Sequence, residues 1–343
     1  MRTLSVLALA LALSGCETLG YYAQAISGHL DLMSRTRPVA ELLADPQVPP
    51  ALRERLEFAQ RIRDFASREL KLPDNGSYRG YADLGRPFAV WNVVATPEFS
   101  LEPVRACFPV AGCVSYRGFF DRTAAEDHAR RLRAAGHDVY LYGVLAYSTL
   151  GRFDDPLLST FIHRSEVELA GLIFHELAHQ VAYAHDDTTF NESFAVAVER
   201  EGLRRWLRGR DAELARLAAA QARAAEIEAL MQAARERLAA LYREPLAPDL
   251  MRSRKHAALA VLKAALAAHP RYRDLEPNNA VLAAHAAYTR LVPRFERLLA
   301  EEGGDLARFY ERVRRLAALE PAARGDFAPA DAPNAGPGAR PLN

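Results

Sequence analysis

Hydrophobic positions recur with helical spacing over most of the chain and with strand spacing in one central stretch. Residues 51–71 carry apolar side chains every three to five positions with charged residues between them, which predicts an amphipathic helix. Residues 73–122 are richer in Tyr, Phe, Val, Pro and Gly, and the stretches 88–95 and 139–147 are typical of strands. The pattern therefore predicts an α+β region with a small sheet in the middle of the chain.

Polar residues mark the starts of two helices in and after this region. Thr123 and Glu126 have the spacing of a capping box, in which each side chain binds the other residue's backbone N–H, and predict a helix over 123–136. Ser165 and Glu168 have the same spacing before an apolar run, so a second, largely buried helix is expected to begin there.

Beyond residue 211 the chain becomes rich in Ala, Leu, Arg and Glu. Residues 211–243 and 250–268 each carry an apolar face and are separated by two prolines, which predicts a helical hairpin. A further helix over 279–301 contains Pro293 and is expected to kink there. Residues 321–343 have little apolar bulk, and we predict that they are disordered.

Composition limits the class of protein. Of the 343 residues 50% are hydrophobic and 25% are charged, which is enough apolar material for a packed core. The 44 basic residues are balanced by 43 acidic residues, so the formal net charge is +1. A chain without excess positive charge is poorly suited to neutralise phosphates, and we therefore expect no nucleic-acid partner.

The N-terminus has the pattern of a bacterial lipoprotein signal. Arg2 precedes an apolar run at 4–13, which has the length of a signal peptide rather than of a membrane span. The run ends in a Leu-Ser-Gly-Cys motif that resembles a lipobox, in which the cysteine sulfur receives diacylglycerol and the chain is cut just before it. We therefore expect residues 1–15 to be removed and acylated Cys16 to anchor the protein in a lipid bilayer. The alternative is an ordinary secretory signal with a chance cysteine.

The residues after this signal suggest a location. By resemblance to the sorting rule of enteric bacteria, Glu17 favours the outer membrane, with the protein facing the periplasm in the cell envelope. In that oxidising compartment Cys107 and Cys113 are expected to form a disulfide around a short Pro- and Gly-containing loop. A metal site at these cysteines is less favoured, because neither a second cysteine pair nor a nearby histidine accompanies them.

Residues 174–180 read Phe-His-Glu-Leu-Ala-His-Gln and carry the clearest chemistry of the chain. His175 and His179 are four residues apart, so on a helix they share one face and can bind one zinc ion together. Glu176 lies beside them and can approach a water molecule on that ion as a general base. The flanking residues are apolar, and burying such polar groups without partners would cost about 2 kcal/mol or more for each group.

A catalytic zinc site needs a third protein ligand and an open position. Glu192 follows His179 by thirteen residues and would reach the metal if a helix beginning near Asn191 folded back after a short polar loop. The alternative ligand is His185, but this metzincin-like spacing requires glycine where Ala182 stands. Glu192 also has capping-box spacing from Thr189, so a purely structural role is the alternative for that residue.

The two segments together resemble a known group of enzymes. Residues 175–180, followed by Asn-Glu-Ser-Phe-Ala at 191–195, resemble the gluzincins, especially the alanyl-aminopeptidase type, in which a matching Asn-Glu-Gly-Phe-Ala supplies a glutamate ligand. The spacer is several residues shorter here, and the Gly-x-Met-Glu-Asn signature for the substrate amine is absent. A closer resemblance, over about residues 16–300, is to the bacterial putative aminopeptidase lipoproteins; besides the two zinc segments it is carried by residues 78–83, 91–97, 107–118 and 146–156. This resemblance implies a peptidase with one zinc ion.

Other polar residues are candidates for supporting roles. Tyr147 precedes the zinc helix and is expected to donate a hydrogen bond to the oxyanion of the reaction, with Tyr183 as a weaker candidate. Glu98 is the candidate for the carboxylate that an aminopeptidase needs to bind the substrate amine. The candidates to accept a hydrogen bond from the zinc-bound histidines are Glu199, Asp154 and Asp155.

The sequence thus predicts a predominantly helical α+β protein in which a small mixed sheet packs beside a zinc-binding helix pair, followed by a helical hairpin. We expect a zinc-dependent peptidase, in the first place an aminopeptidase, that hydrolyses peptides at the cell envelope. The alternatives are a zinc endopeptidase of envelope proteins and a non-catalytic lipoprotein that binds a protein partner through its hairpin. The predicted segments are a signal peptide (1–15), a helical segment (16–72), a catalytic region (73–210), a helical region (211–320) and a tail (321–343).

Overall fold

The computed structural model describes residues 20–108, 112–321 and 323–324. The predicted signal peptide, Cys16 and nearly all of the predicted tail lie outside the described residues. Within the described part, no helix combines the length and the apolar composition needed to cross a bilayer.

The described chain is predominantly helical with short strands, which confirms the predicted α+β class. The helices are α1 (20–34), α2 (Val39–Ala44), α3 (Pro50–Arg68), α4 (Arg122–Ala134), α5 (Glu166–His179), α6 (Thr188–Trp206), α7 (Asp211–Leu241), α8 (Pro248–Leu266), α9 (Asn279–Thr289), α10 (Val292–Glu301) and α11 (Leu306–Ala317). The strands are β1 (Arg37–Pro38), β2 (Gly80–Ala82), β3 (Val90–Thr96), β4 (Ala106–Phe108), β5 (Gly112–Val114), β6 (Arg117–Phe119), β7 (Asp138–Val144) and β8 (Leu157–Leu158).

The described strands form three small sheets. The longest strands meet in an antiparallel sheet of order β6-β3-β7, in which Val90 lies opposite Val144 and Thr96 opposite Asp138. A mixed sheet of order β1-β2-β8 joins the N-terminal segment to the chain just before α5, because β2 is antiparallel to β1 and parallel to β8. The third is the hairpin β4-β5.

One of the two predicted capping boxes is present. The backbone N–H of Glu168 donates to Ser165 Oγ at 3.3 Å, and the N–H of Ser165 donates to Glu168 Oε2 at 3.2 Å, so α5 begins as predicted. The box predicted at Thr123 is wrong, because Asp121 caps α4 by accepting a hydrogen bond from the N–H of Ala124 at 2.7 Å. An aspartate two residues earlier can cap the same helix, and local spacing alone does not choose between the two residues.

The predicted hairpin is formed by α7 and α8, whose apolar faces share a core that includes Leu238 and Leu262. The single kinked helix predicted over 279–301 is wrong, because the chain forms two helices, α9 and α10, with a break at Arg290 and Leu291. Pro293 lies in the first turn of α10, where its missing N–H would have no helical partner in any case.

The main core is built around the pair α5 and α6, against which α3, α10 and α11 also pack. The end of α5 faces the beginning of α6, so the two helices are antiparallel. Glycines allow them to approach closely: a Cβ at Gly202 would lie 2.6 Å from Cδ2 of Phe174, and one at Gly171 would lie 3.0 Å from Oε1 of Glu199. The position of α6 relative to α5 therefore depends on two residues without side chains.

We expect Gly202→Ala to lower the free energy of unfolding by about 1–3 kcal/mol, because the new methyl group overlaps the buried ring of Phe174. Chemical denaturation measures the change. Gly20→Ala is the matched control, since a Cβ at that position meets no atom within 4 Å. Equal stability of the Gly202→Ala variant and the parent would contradict the close packing.

Candidate active site

The three predicted ligand side chains meet between α5 and α6. Glu192 Oε2 lies 3.4 Å from His175 Nε2 and 3.6 Å from His179 Nε2, and one ligand atom from each residue falls within 4.8 Å of the others. Ligands bound about 2.0–2.2 Å from a tetrahedral ion lie about 3.3–3.6 Å from one another. The two distances to Glu192 match this spacing, and the cluster could hold one metal ion.

The cap of α6 explains how Glu192 reaches the histidines. Asp187 Oδ1 accepts a hydrogen bond from the N–H of Phe190 at 2.9 Å, so the helix begins at Thr188 rather than near Asn191 as predicted. The alternative in which Thr189 and Glu192 form a capping box is wrong for the same reason. Because the cap is supplied by Asp187, the carboxylate of Glu192 is turned towards α5 instead of the helix end.

Asn191 fixes the turn that joins the two helices. Its Oδ1 accepts a hydrogen bond from the N–H of Ala184 at 2.7 Å, and its Nδ2 donates to the carbonyl of the same residue at 2.8 Å. The Asn191 side chain is buried, so both bonds are shielded from water. The neighbouring Ser193 accepts a hydrogen bond from the N–H of Leu291 at the start of α10. The residues on either side of Glu192 therefore hold its backbone in place.

Glu199 supports the first histidine. Its Oε2 lies 3.2 Å from His175 Nδ1, an arrangement that directs Nε2 of the same ring towards Glu192. Asp155 has a different role, because it is buried and accepts a hydrogen bond from the N–H of Thr149 at 2.9 Å. Burial raises the pKa of Asp155 to about 7. Asp154 lies against Gly76. Of the three acceptors considered from the sequence, Glu199 is thus the one in contact with a histidine of the cluster.

The acidic groups of the site differ in their affinity for protons. Burial opposes ionisation of Glu192, but the two nearby imidazoles outweigh it and lower the pKa of this carboxyl to about 2. Burial also disfavours the charged form of His175, yet hydrogen bonds to Glu192 and Glu199 hold its pKa well above the usual value. Burial raises the pKa of Glu176. Glu192 is therefore suited to remain an anionic ligand, and Glu176 is the carboxylate better suited to accept a proton.

A cavity of about 680 Å³ opens onto the cluster. The three ligand side chains, Glu176 and Tyr147 all line it. Many of the other lining residues are aromatic: Tyr21, Phe108, Tyr116, Phe120, Tyr142, Tyr183 and Tyr288. The cavity therefore places the charged cluster among several aromatic side chains.

The tyrosines of this wall differ in their surroundings. Tyr147 packs edge-to-face on Phe120, with ring centroids 5.0 Å apart, and burial raises its pKa. Burial and the negative charge of Glu192 raise the pKa of Tyr116 and of Tyr288 well above the usual value. The sequence analysis did not identify these two residues, because neither lies near the His-Glu-Leu-Ala-His motif and no local pattern distinguishes them from core tyrosines.

Tyr288 lies next to one of the proposed ligands, His175. Its ring stacks on the imidazole of His175 with centroids 6.5 Å apart and an interplanar angle of 24°. Its hydroxyl is hydrogen-bonded to that of Tyr142, which also bonds to Asn92 on β3. Tyr288 is therefore held in the cavity by both its ring and its hydroxyl.

The alternative ligand His185 lies outside the cluster. Its side chain is 64% exposed and pairs with Asp186 at 3.2 Å, so it is a loop residue. Asp186 in turn accepts a hydrogen bond from the N–H of Cys113. Cys113 is bonded to Cys107 with an S–S length of 2.05 Å. The disulfide-closed hairpin is thus fastened to the loop that connects α5 to α6.

The assignment of Glu98 to substrate binding is wrong. Its Oε1 accepts a hydrogen bond from Arg252 Nε at 2.6 Å, and its backbone carbonyl accepts one from Lys255 on the same helix, α8. Glu98 is not among the residues that line the cavity. It therefore joins the helical hairpin to the segment after β3.

Fold and site together define a helical α+β protein with a His-His-Glu cluster that could hold a metal ion and that lines a cavity with several aromatic side chains. The family model described as "Putative aminopeptidase" matches residues 20–327, and the chain belongs to this family. The match spans every helix and strand described above and supports a peptidase. No curated protein and no solved structure matches the chain.

We expect Asn191→Ala to lower the free energy of unfolding by about 2–4 kcal/mol, because the buried N–H and carbonyl of Ala184 both lose their partner. Urea denaturation measures the loss. Thr189→Ala is the control, since Asp187 caps the helix, and a change below about 0.5 kcal/mol is expected there. A larger effect at Thr189 than at Asn191 would contradict this account of the turn.

Proposed function

We propose that this protein is a zinc-dependent aminopeptidase of the bacterial cell envelope. The observation that carries the proposal is the convergence of His175, His179 and Glu192 within 4.8 Å, with Glu176 next to them in the same cavity. Two imidazole nitrogens and one carboxylate oxygen form a donor set typical of catalytic zinc, which leaves a fourth position for water or substrate. Membership of the "Putative aminopeptidase" family supports a peptidase.

Each residue of the site has a distinct task in this mechanism. A zinc ion, when bound, supplies Lewis acidity and lowers the pKa of water to about 7. Glu176 accepts a proton from the attacking water while the water oxygen bonds to the peptide carbonyl carbon. When the C–N bond breaks, Glu176 delivers this proton to the leaving amine. Its buried position favours this exchange, because burial raises its pKa towards that of the groups with which it trades the proton.

The carbonyl oxygen gains negative charge during the attack and needs a hydrogen-bond donor. We assign this task to the hydroxyl of Tyr288, since its ring stacks on His175 and the residue lines the same cavity as Glu176. Tyr147, the residue proposed from the sequence, lines the same cavity and is the second candidate.

The sheet edge beside the cavity provides a surface for the substrate backbone. In the order β6-β3-β7, strand β7 lies at the edge, and residues 143–148 at its end line the cavity. An extended peptide can add to such an edge through main-chain hydrogen bonds. The aromatic wall favours substrates whose side chains next to the cleaved bond are apolar.

The envelope location rests on the N-terminus and the disulfide. The lipobox-like motif ending at Cys16 provides for a lipid anchor after removal of residues 1–15. The bond between Cys107 and Cys113 is consistent with an oxidising compartment such as the periplasm.

The decisive test compares the parent with Glu176→Gln. The parent should bind one zinc ion per chain and hydrolyse peptides, and the variant should keep the zinc but lose about 100-fold or more in kcat, because it cannot accept a proton. Zinc content by mass spectrometry and peptide hydrolysis provide the readouts. Glu276→Gln, a change at a side chain that is 77% exposed on the helical region, should be as active as the parent.

The outcomes separate the alternatives. A parent without zinc, or a Glu176→Gln variant as active as the parent, would contradict the mechanism. Either result would favour the alternative of a non-catalytic lipoprotein that binds a protein partner through its hairpin. Hydrolysis of N-acetylated peptides as fast as free ones would identify an endopeptidase, since an aminopeptidase requires the free amine.

We expect Tyr288→Phe to lower kcat by about 100-fold while KM and zinc content stay close to those of the parent, because the lost hydroxyl acts on charge that develops in the transition state. Tyr147→Phe is measured alongside it with the same peptides. A large fall in the Tyr147 variant and none in the Tyr288 variant would reverse the assignment.

A further inference from the structure

We propose that the outer face of α1 lies on the surface of the lipid bilayer and thereby holds one wall of the catalytic cavity against the membrane. The proposal concerns the helix that follows the predicted lipidation site, and it rests on the envelope location proposed above. It adds a protein surface to the lipid anchor and gives the cavity a defined orientation.

The inner face of α1 belongs to the folded body. Tyr21 and Ala25 line the cavity, and Leu32 is 1% exposed in the main core. Gly28 packs so closely on Phe120 that a Cβ would lie 2.2 Å from the ring. These positions recur every three or four residues, so one stripe of the helix forms a wall of the cavity.

The outer face of α1 is apolar and exposed. Ile26 and Leu30 lie one turn apart and are 59% and 60% exposed. Phe153, which is 53% exposed, lies beside them, because its ring centroid is 4.7 Å from that of His29 on the same helix. We call Ile26, Leu30 and Phe153 the α1 patch. Three large apolar side chains exposed at one place indicate a surface that contacts something other than water.

The charge of α1 also differs from that of an ordinary surface helix. Over residues 20–34 the only acidic or basic side chain other than His29 is Asp31, which pairs with Arg35 at 3.0 Å. Burial lowers the pKa of His29 and favours its neutral form. By contrast, α4 carries six charged residues over Arg122–Ala134. Because α1 carries little charge, few ionised groups would have to leave water when the helix contacts lipid.

The bilayer is the occupant favoured by the position of the patch in the chain. The described part of α1 begins at residue 20, four residues after Cys16, and four residues span at most about 14 Å. Acyl chains attached at Cys16 would therefore keep the first turn of α1 at the membrane surface. Stable anchoring commonly combines acyl chains with a second contact, and the α1 patch would supply it.

This contact orients the active site. Tyr21 and Ala25 face the cavity on the opposite side of the helix from Ile26 and Leu30, so the cavity lies about one helix diameter, about 10 Å, from the lipid surface. The peptides that reach it are accordingly those released at or held near the membrane.

The test uses the chain from residue 17 onwards, which lacks the lipid but contains every residue that the structure describes. Flotation with vesicles of phosphatidylethanolamine and phosphatidylglycerol measures its partition to lipid. Ile26→Glu combined with Leu30→Glu should lower this partition about tenfold or more, because two apolar contacts are lost and charge is added. The matched control is Leu250→Glu combined with Val261→Glu on α8, where the parent side chains are 46% and 57% exposed, and it should bind vesicles as the parent does.

The proposal is overturned if the parent does not bind vesicles, if both double variants bind equally well, or if the α1 variant instead dissolves a dimer seen by analytical ultracentrifugation. Zinc content and peptide hydrolysis in the absence of vesicles should be the same in the α1 variant and the parent. These readouts keep the two proposals apart. If the parent binds vesicles but does not hydrolyse peptides, the result contradicts the proposed peptidase activity and supports the α1 contact. If the parent hydrolyses peptides but does not bind vesicles, the result contradicts the α1 contact alone.

Discussion

The close antiparallel packing of α5 and α6 is the constraint on which the rest of the site depends. Gly171 and Gly202 remove the side chains that would separate the two helices, and Glu192 Oε2 comes within 3.4 Å of His175 Nε2 as a result. A buried carboxylate is costly unless it is paired or bound to a metal. The same packing that builds the core therefore creates a place where a cation would be stabilised.

The start of α6 determines whether that packing produces a site or only a core. Asp187 caps the helix, Asn191 holds Ala184 through two hydrogen bonds, and Arg324 both pairs with Asp187 and lies over the ring of Phe190. These contacts fix the backbone that precedes Glu192, while its carboxylate lies within 3.6 Å of both histidines of α5. The position of Glu192 is thus set by the fold alone, as expected of a side chain that would serve as a preorganised metal ligand.

The wall of the cavity is assembled from distant parts of the chain. Tyr21 comes from α1, Tyr147 from the segment after β7 and Tyr288 from α9. Burial raises the pKa of Tyr147 and Tyr288, so their hydroxyl groups stay neutral and can donate hydrogen bonds beside the charged cluster. In the proposed mechanism the charged centre handles protons, and the tyrosines of the wall bind neutral substrate and developing charge.

The sequence by itself determined those features that depend on local spacing: the helical hairpin, the capping box at Ser165, and the histidines four residues apart on one helix face. Such patterns act within one or two turns, so they can be read without the fold. Only the tertiary structure decided that Asp121 rather than Thr123 caps α4, that Glu98 bonds to Arg252, and that Tyr288 stacks on His175. These contacts depend on which of several chemically suitable residues the packed core brings into reach, and the spacing of residues along the chain does not contain that information.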